Sequence, residues 1–201
     1  HGALDEAALH AAVQLYQGTL LAGFAEQDIT PEIGMEAPGG YGKAYHTKLH
    51  DPCKARAAVL GNGKLRVALV GIDGLGIRRQ SVEAVRKAIR EQCGIDEHAI
   101  LIAASHSHSA GPLLGTAPGD FDHASPLVKR LANDQTTAVN EKYLDYVHKQ
   151  IVAAVCQADR DKVAARIGVG SDFEGGVSFN RRFRMRSGLS ACANAGADPA
   201  A

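Results

Sequence analysis

The run Ser105-His106-Ser107-His108-Ser109-Ala110-Gly111-Pro112 concentrates more potential chemistry than any other stretch of this 201-residue chain. It follows Ile100-Leu101-Ile102-Ala103-Ala104, an apolar run that reads as a buried strand. In extended chain, residues two apart project to the same side, so the spacing predicts that His106 and His108 share a face at a sheet margin. Two imidazoles so placed can hold a metal, or one can ligate while the other serves as acid, base or oxyanion donor. Three residues alone describe two exposed histidines equally well, and the position at a strand end is what favours function.

Arginine dominates the second candidate, Ser178-Phe179-Asn180-Arg181-Arg182-Phe183-Arg184-Met185-Arg186. A guanidinium fork suits carboxylate, phosphate or a developing oxyanion. Basic residues between aromatics also suit single-stranded nucleic acid, but Phe179, Arg181, Phe183 and Met185 do not sort into one apolar and one basic face. The ordinary alternative is a solvated, arginine-rich strand. His46 and His50 stand four apart before Pro52 and read as surface histidines, with metal ligation the lesser alternative. Asp73, closing an apolar run, can cap a turn or orient a ligand. No serine sits in a G-x-S-x-G elbow, so nothing specifies a serine-hydrolase triad.

The elements that must position these groups follow from periodicity. Leu4, Ala8, Ala11, Ala12 and Leu15 predict a short amphipathic helix, and residues 20–25 a strand ending before Pro31. Glycines and Pro38 make residues 34–44 a loop that matches neither a Walker loop nor a dinucleotide fingerprint. Two apolar runs, residues 55–60 and 65–72, flank Gly61-Asn62-Gly63 and predict a hairpin whose second strand is buried and central. Residues 80–92 predict a helix stopped by Gly94. Residues 109–140 read as a long surface excursion with little regular structure, followed by a helix from Tyr143 through Val155 and a strand over residues 163–169. The order implies an α/β chain, more closely a mixed α+β fold, with a mixed sheet and helices on at least one face.

Composition sets the outer limits. With 45% apolar and 22% charged residues the chain is globular in profile. Twenty-two basic and 22 acidic residues cancel, so no global field draws it to nucleic acid or an anionic membrane. No apolar run reaches the roughly 18 residues a transmembrane helix needs. Cys53, Cys93, Cys156 and Cys192 form no C-x-x-C pair, which argues against a cysteine zinc site and a dense disulfide framework and tilts toward a reducing, cytoplasmic setting. The first residue is His1, not Met, as expected for a processed product or a fragment; a removed signal peptide would leave no trace.

Taken in order, Ala22-Gly23-Phe24-Ala25 through Asp28-Ile29-Thr30-Pro31, Gly40-Tyr41-Gly42, His50-Asp51-Pro52 leading to Ala55-Arg56-Ala57, residues 67–74, Ala104-Ser105-His106-Ser107-His108-Ser109 and Ser178-Phe179-Asn180-Arg181 resemble the N-terminal domain of the neutral/alkaline ceramidases. The resemblance spans roughly residues 23–188. It implies a partial catalytic domain over residues 1–188 with a tail at 189–201, and a zinc-dependent hydrolase of ceramide or a related linear, lipid-like amide. By the same resemblance His106 is a Zn2+ ligand, His108 contacts the reacting group, and Arg181 is the active-site arginine. The family draws a second His, a Glu and a Tyr ligand and a serine from further along, so the 201 residues alone are expected to lack a competent centre. The sequence departs from the family's H-T-H-S/T-G-P at Ser107 and by Ala110 ahead of Gly111-Pro112. A different class of reading is a non-catalytic relative binding an anionic partner through the arginine cluster.

Overall fold

The computed structural model describes residues 19–40, 42–176, 182–184, 188 and 190–192. The expected helix around residues 4–15, Tyr41 of the glycine loop and the 178–181 motif lie outside them. The chain divides into two compact units, His1–Arg166 and Ile167–Ala201.

The first unit is built on a five-stranded mixed sheet in the order β4-β3-β2-β1-β5. β1 (Leu21–Asp28), β2 (Lys54–Gly61) and β3 (Arg66–Ile72) form an antiparallel meander. The β2–β3 turn forms where glycine and asparagine predict it: Asn62 Oδ1 accepts from the amides of Lys64 at 3.1 Å and Leu65 at 2.9 Å, and Gly63 takes φ 86°. β4 (Ile100–Ala104) then pairs parallel to β3. A parallel pair needs a crossover, and α1 (Arg79–Cys93) supplies it. Its stop is Gly94, at φ 68°, whose amide donates to the Arg90 carbonyl at 2.9 Å.

Two further helices follow. α2 (Pro126–Asp134) interrupts the segment expected to be irregular; Ser125 caps it, accepting from the Val128 amide, and Pro126 occupies its first turn. α3 (Glu141–Arg160) is longer than its apolar period suggested, capped by Asn140 Oδ1 accepting from the Tyr143 amide at 3.0 Å. β5 (Val163–Ala164) is only two residues of the expected strand, pairing with Leu21 and Ala22 of β1.

The core sits on one face of the sheet. Ala55, Ala57 and Val59 of β2, Ala68, Val70 and Ile72 of β3, and Ile100 and Ile102 of β4 alternate inward. They meet Val147, Ile151, Val155 and Ala154 of α3 and Val85 and Ile89 of α1. Gly23 is required in β1 because a Cβ there would overlap the Ala158 carbonyl of α3. The expectation that the second hairpin strand and β4 are buried on both faces is not met: Val67, Leu69 and Leu101 are exposed. Strand composition reports what a strand can bury, whereas only α1 and α3 supply cover, and both lie on the same side.

The tilt toward reduced thiols is overturned for one pair, because a disulfide joins Cys93 at the end of α1 to Cys156 in α3, their Cα atoms 5.6 Å apart. The 63-residue separation hides a proximity created when the two helices pack together. Such bridges persist in oxidising surroundings. No helix among the described residues is long and apolar enough to cross a membrane. In the second unit, β6 (Arg182–Arg184) and β7 (Ser190–Cys192) form an antiparallel pair.

Candidate functional site

β3 and β4 end side by side, and the loops leaving them stay paired for a few residues. The Ser105 amide donates to the Ile72 carbonyl at 3.0 Å and the Ser107 amide to the Gly74 carbonyl at 3.1 Å. His106, held between these two bonds, leaves extended conformation with φ 64°. The expected strand alternation therefore does not bring His106 and His108 together. A left-handed residue does so instead, leaving their rings edge to face with centroids 5.2 Å apart. Among non-glycine residues histidine tolerates that region better than most, yet it costs about 1 to 2 kcal/mol.

The backbone also sets the chemistry of His106. Its Nδ1 lies 2.8 Å from the Leu75 carbonyl. A carbonyl only accepts, so Nδ1 carries the proton and Nε2 keeps its lone pair. The side chain is solvent-exposed. An oriented neutral imidazole with a fixed tautomer is what a metal ligand requires, and hydrogen bonding of the far nitrogen to a carbonyl is the usual way to obtain it. The donor chemistry thus fits one imidazole ligand. No group of three or more His, Cys, Asp or Glu residues close enough to hold a metal occurs among the described residues.

His108 borders a cavity of about 590 Å³ whose wall also includes His46, His50, Asp51, Cys53 and Asp73. His106 is not part of that wall. The loop carrying Gly39 crosses close over the His108 ring; Gly39 has φ 105°, and a Cβ there would overlap the imidazole. Glu36 fastens this loop, taking the Lys43 ammonium at 2.6 Å and the Ala138 amide at 2.8 Å. Its hydrogen bond to Glu36 pushes the Lys43 pKa up. Downstream of the histidines, Gly111 packs on the Tyr143 ring so closely that a Cβ would overlap it, while Tyr143 Oη donates to the Ile29 carbonyl. Burial pushes the Tyr143 hydroxyl pKa well up.

The remaining candidates serve the scaffold. His46 Nε2 donates to the Ala110 carbonyl at 3.1 Å, tying the glycine loop to the histidine loop. His50 is exposed and pairs only with its neighbour Asp51 at 2.8 Å. Asp73 Oδ2 accepts from the Lys54 amide at 2.8 Å and from Arg56 at 3.0 Å, so it anchors the start of β2. Burial raises the Cys53 thiol, which makes it a neutral packing group at ordinary pH. Arg181 lies outside the described residues. Residue types could not single out Leu75, which acts through its carbonyl, although Gly39 lay within a visible glycine cluster.

No protein-family model matches the chain, and no curated protein matches it in sequence. Among solved structures, the neutral ceramidase from Pseudomonas aeruginosa matches with a TM-score of 0.57 at 21% identity, over 74% of this chain and 22% of that one. A structure described as ceramidase complexed with C2 matches with a TM-score of 0.53 at 22% identity, over the same shares. The fold is therefore ceramidase-like, and this chain spans about a fifth of the length of those proteins.

Proposed function

We propose that this chain forms part of the catalytic domain of a zinc-dependent amidohydrolase acting on a linear, lipid-like amide such as an N-acylsphingosine. The observation that carries the reading is His106: an exposed imidazole at the end of β4, its Nδ1 proton committed to the Leu75 carbonyl and its Nε2 lone pair free. The ceramidase-like fold supports the choice of reaction.

In this reading His106 holds the metal through Nε2, and zinc when bound supplies Lewis acidity. His108, in contact distance of His106 and open to the cavity, exchanges a proton with the reacting amide at a ring nitrogen. Protonating the departing nitrogen matters because an amine anion is a poor leaving group. Arg181 donates to the oxygen on which charge develops as the amide carbon becomes tetrahedral. The full-length gene product should carry stoichiometric zinc and hydrolyse N-acylsphingosine. In its His106→Ala variant both should fall together, and unchanged amidase activity in that variant would reject the assignment.

A further inference from the structure

The face of the sheet turned away from α1 and α3 is apolar over most of its width. Val163 of β5, Ala22 of β1, Leu60 of β2 and Val67 of β3 form one row across the strands. Phe24, Ala58, Leu69 and Leu101 form the next. Phe24 is 71% exposed, Leu101 57% and Leu69 41%. The third row is charged: Lys54 and Arg56 of β2 pair with Glu26 and Asp28 of β1 and with Asp73, at 3.0 to 3.7 Å. The apolar patch thus lies at the end away from the histidine loop, bounded by an ion-pair ladder that faces water without a partner.

Strands that carry a parallel pair are ordinarily covered on both faces, and β3 and β4 have the composition for it. What could cover them is limited by area. Five strands and two side-chain rows give a footprint of roughly 300 Å², about 600 Å² when side-chain relief is allowed for. A stable contact between separate chains needs about 800 Å² on each partner. A layer tethered to the same polypeptide does not, because tethering raises its effective concentration to the millimolar range. The matched ceramidase structures carry this fold over only 22% of their length.

We propose that this face is the inner surface of a second interface, closed by an apolar layer from polypeptide of the same chain outside residues 1–201. The inference rests on the sheet and on the fold likeness, and is independent of the metal and of the amide chemistry. Thiol probes test it. Leu69→Cys and Leu101→Cys, each with Cys192→Ser, report from two strands, and Lys87→Cys on the outer side of α1 serves as a control. In the 201-residue chain all three should react rapidly with a maleimide. In the full-length gene product the two sheet probes should react about 100-fold more slowly while the control is unchanged. Equal sheet-probe rates in the two proteins would overturn the proposal. So would protection already present in the 201-residue chain, whether lost on dilution, which assigns the face to a second copy, or lost on deleting residues 1–18, which assigns it to the chain's own start.

Discussion

Replacing His106 by alanine or by glycine removes the same imidazole and the same bond to Leu75, but the two variants inherit a backbone at φ 64° that only glycine adopts freely. His106→Gly should therefore be more stable than His106→Ala by about 1 kcal/mol, measured by urea denaturation of both. Equal stabilities would mean the loop relaxes when the ring is gone and that the left-handed turn is not imposed by its neighbours. Gly39→Ala tests the other histidine. The new methyl would meet the His108 ring in a residue already at φ 105°, so His108 must rotate or the loop must lift. Loss of amidase activity in the full-length protein, with a melting temperature lowered by a few degrees, is the expected outcome. At this scale the sequence placed both histidines at a sheet margin correctly, because an apolar run ending in polar residues reports where a strand stops. It could not report the left-handed turn, since alternation assumes an unbroken strand, nor Leu75, whose contribution is a main-chain oxygen.

Elements were legible where a local signal and the apolar period agree. α1 ends at Gly94 and the hairpin turns at Asn62-Gly63, each with its own hydrogen bonds. α2 was hidden because its apolar stripe is short, although Ser125-Pro126 is a helix-start signal. The α1–α3 pairing was hidden too, and with it the disulfide. Closing a loop of 63 residues makes the Cys93–Cys156 bridge worth up to about 4 kcal/mol. Treatment with dithiothreitol, or Cys156→Ala, should lower the denaturation midpoint accordingly. Unchanged stability under complete reduction would show that packing of Val147, Ile151 and Val155 suffices.

α3 also carries a titrating group. His148, on the groove it shares with Gln92 and Lys149, has its Nε2 buried without a hydrogen-bond partner. Burial lowers its pKa, opposed by the charge of Asp145. The unfolded chain, with an ordinary value near 6.5, therefore takes up the proton first. Stability should fall as pH drops below about 6.5 and level off once the folded protein is protonated too. His148→Gln should flatten that limb of the pH–stability curve.

At the scale of the molecule, the mixed sheet with helices was readable from the alternation of strand and helix periods, but its one-sided cover was not. Apolar strands announce two buried faces, and the described residues provide helices for one. The same incompleteness marks the candidate centre. A catalytic zinc ordinarily takes three protein ligands, and His106 is a single donor with no cluster of three around it among the described residues. The 201-residue chain should consequently bind zinc only weakly, without fixed stoichiometry, and should hydrolyse no N-acyl amide, as judged by titration calorimetry and product release. Measuring zinc affinity for the wild type beside His106→Ala separates a partial site from none. A weak affinity that falls further in the variant supports ligation by His106, while equal values place the metal elsewhere. Turnover at the rate of a complete ceramidase would be decisive in the other direction, because it would require a full ligand set within residues 1–201.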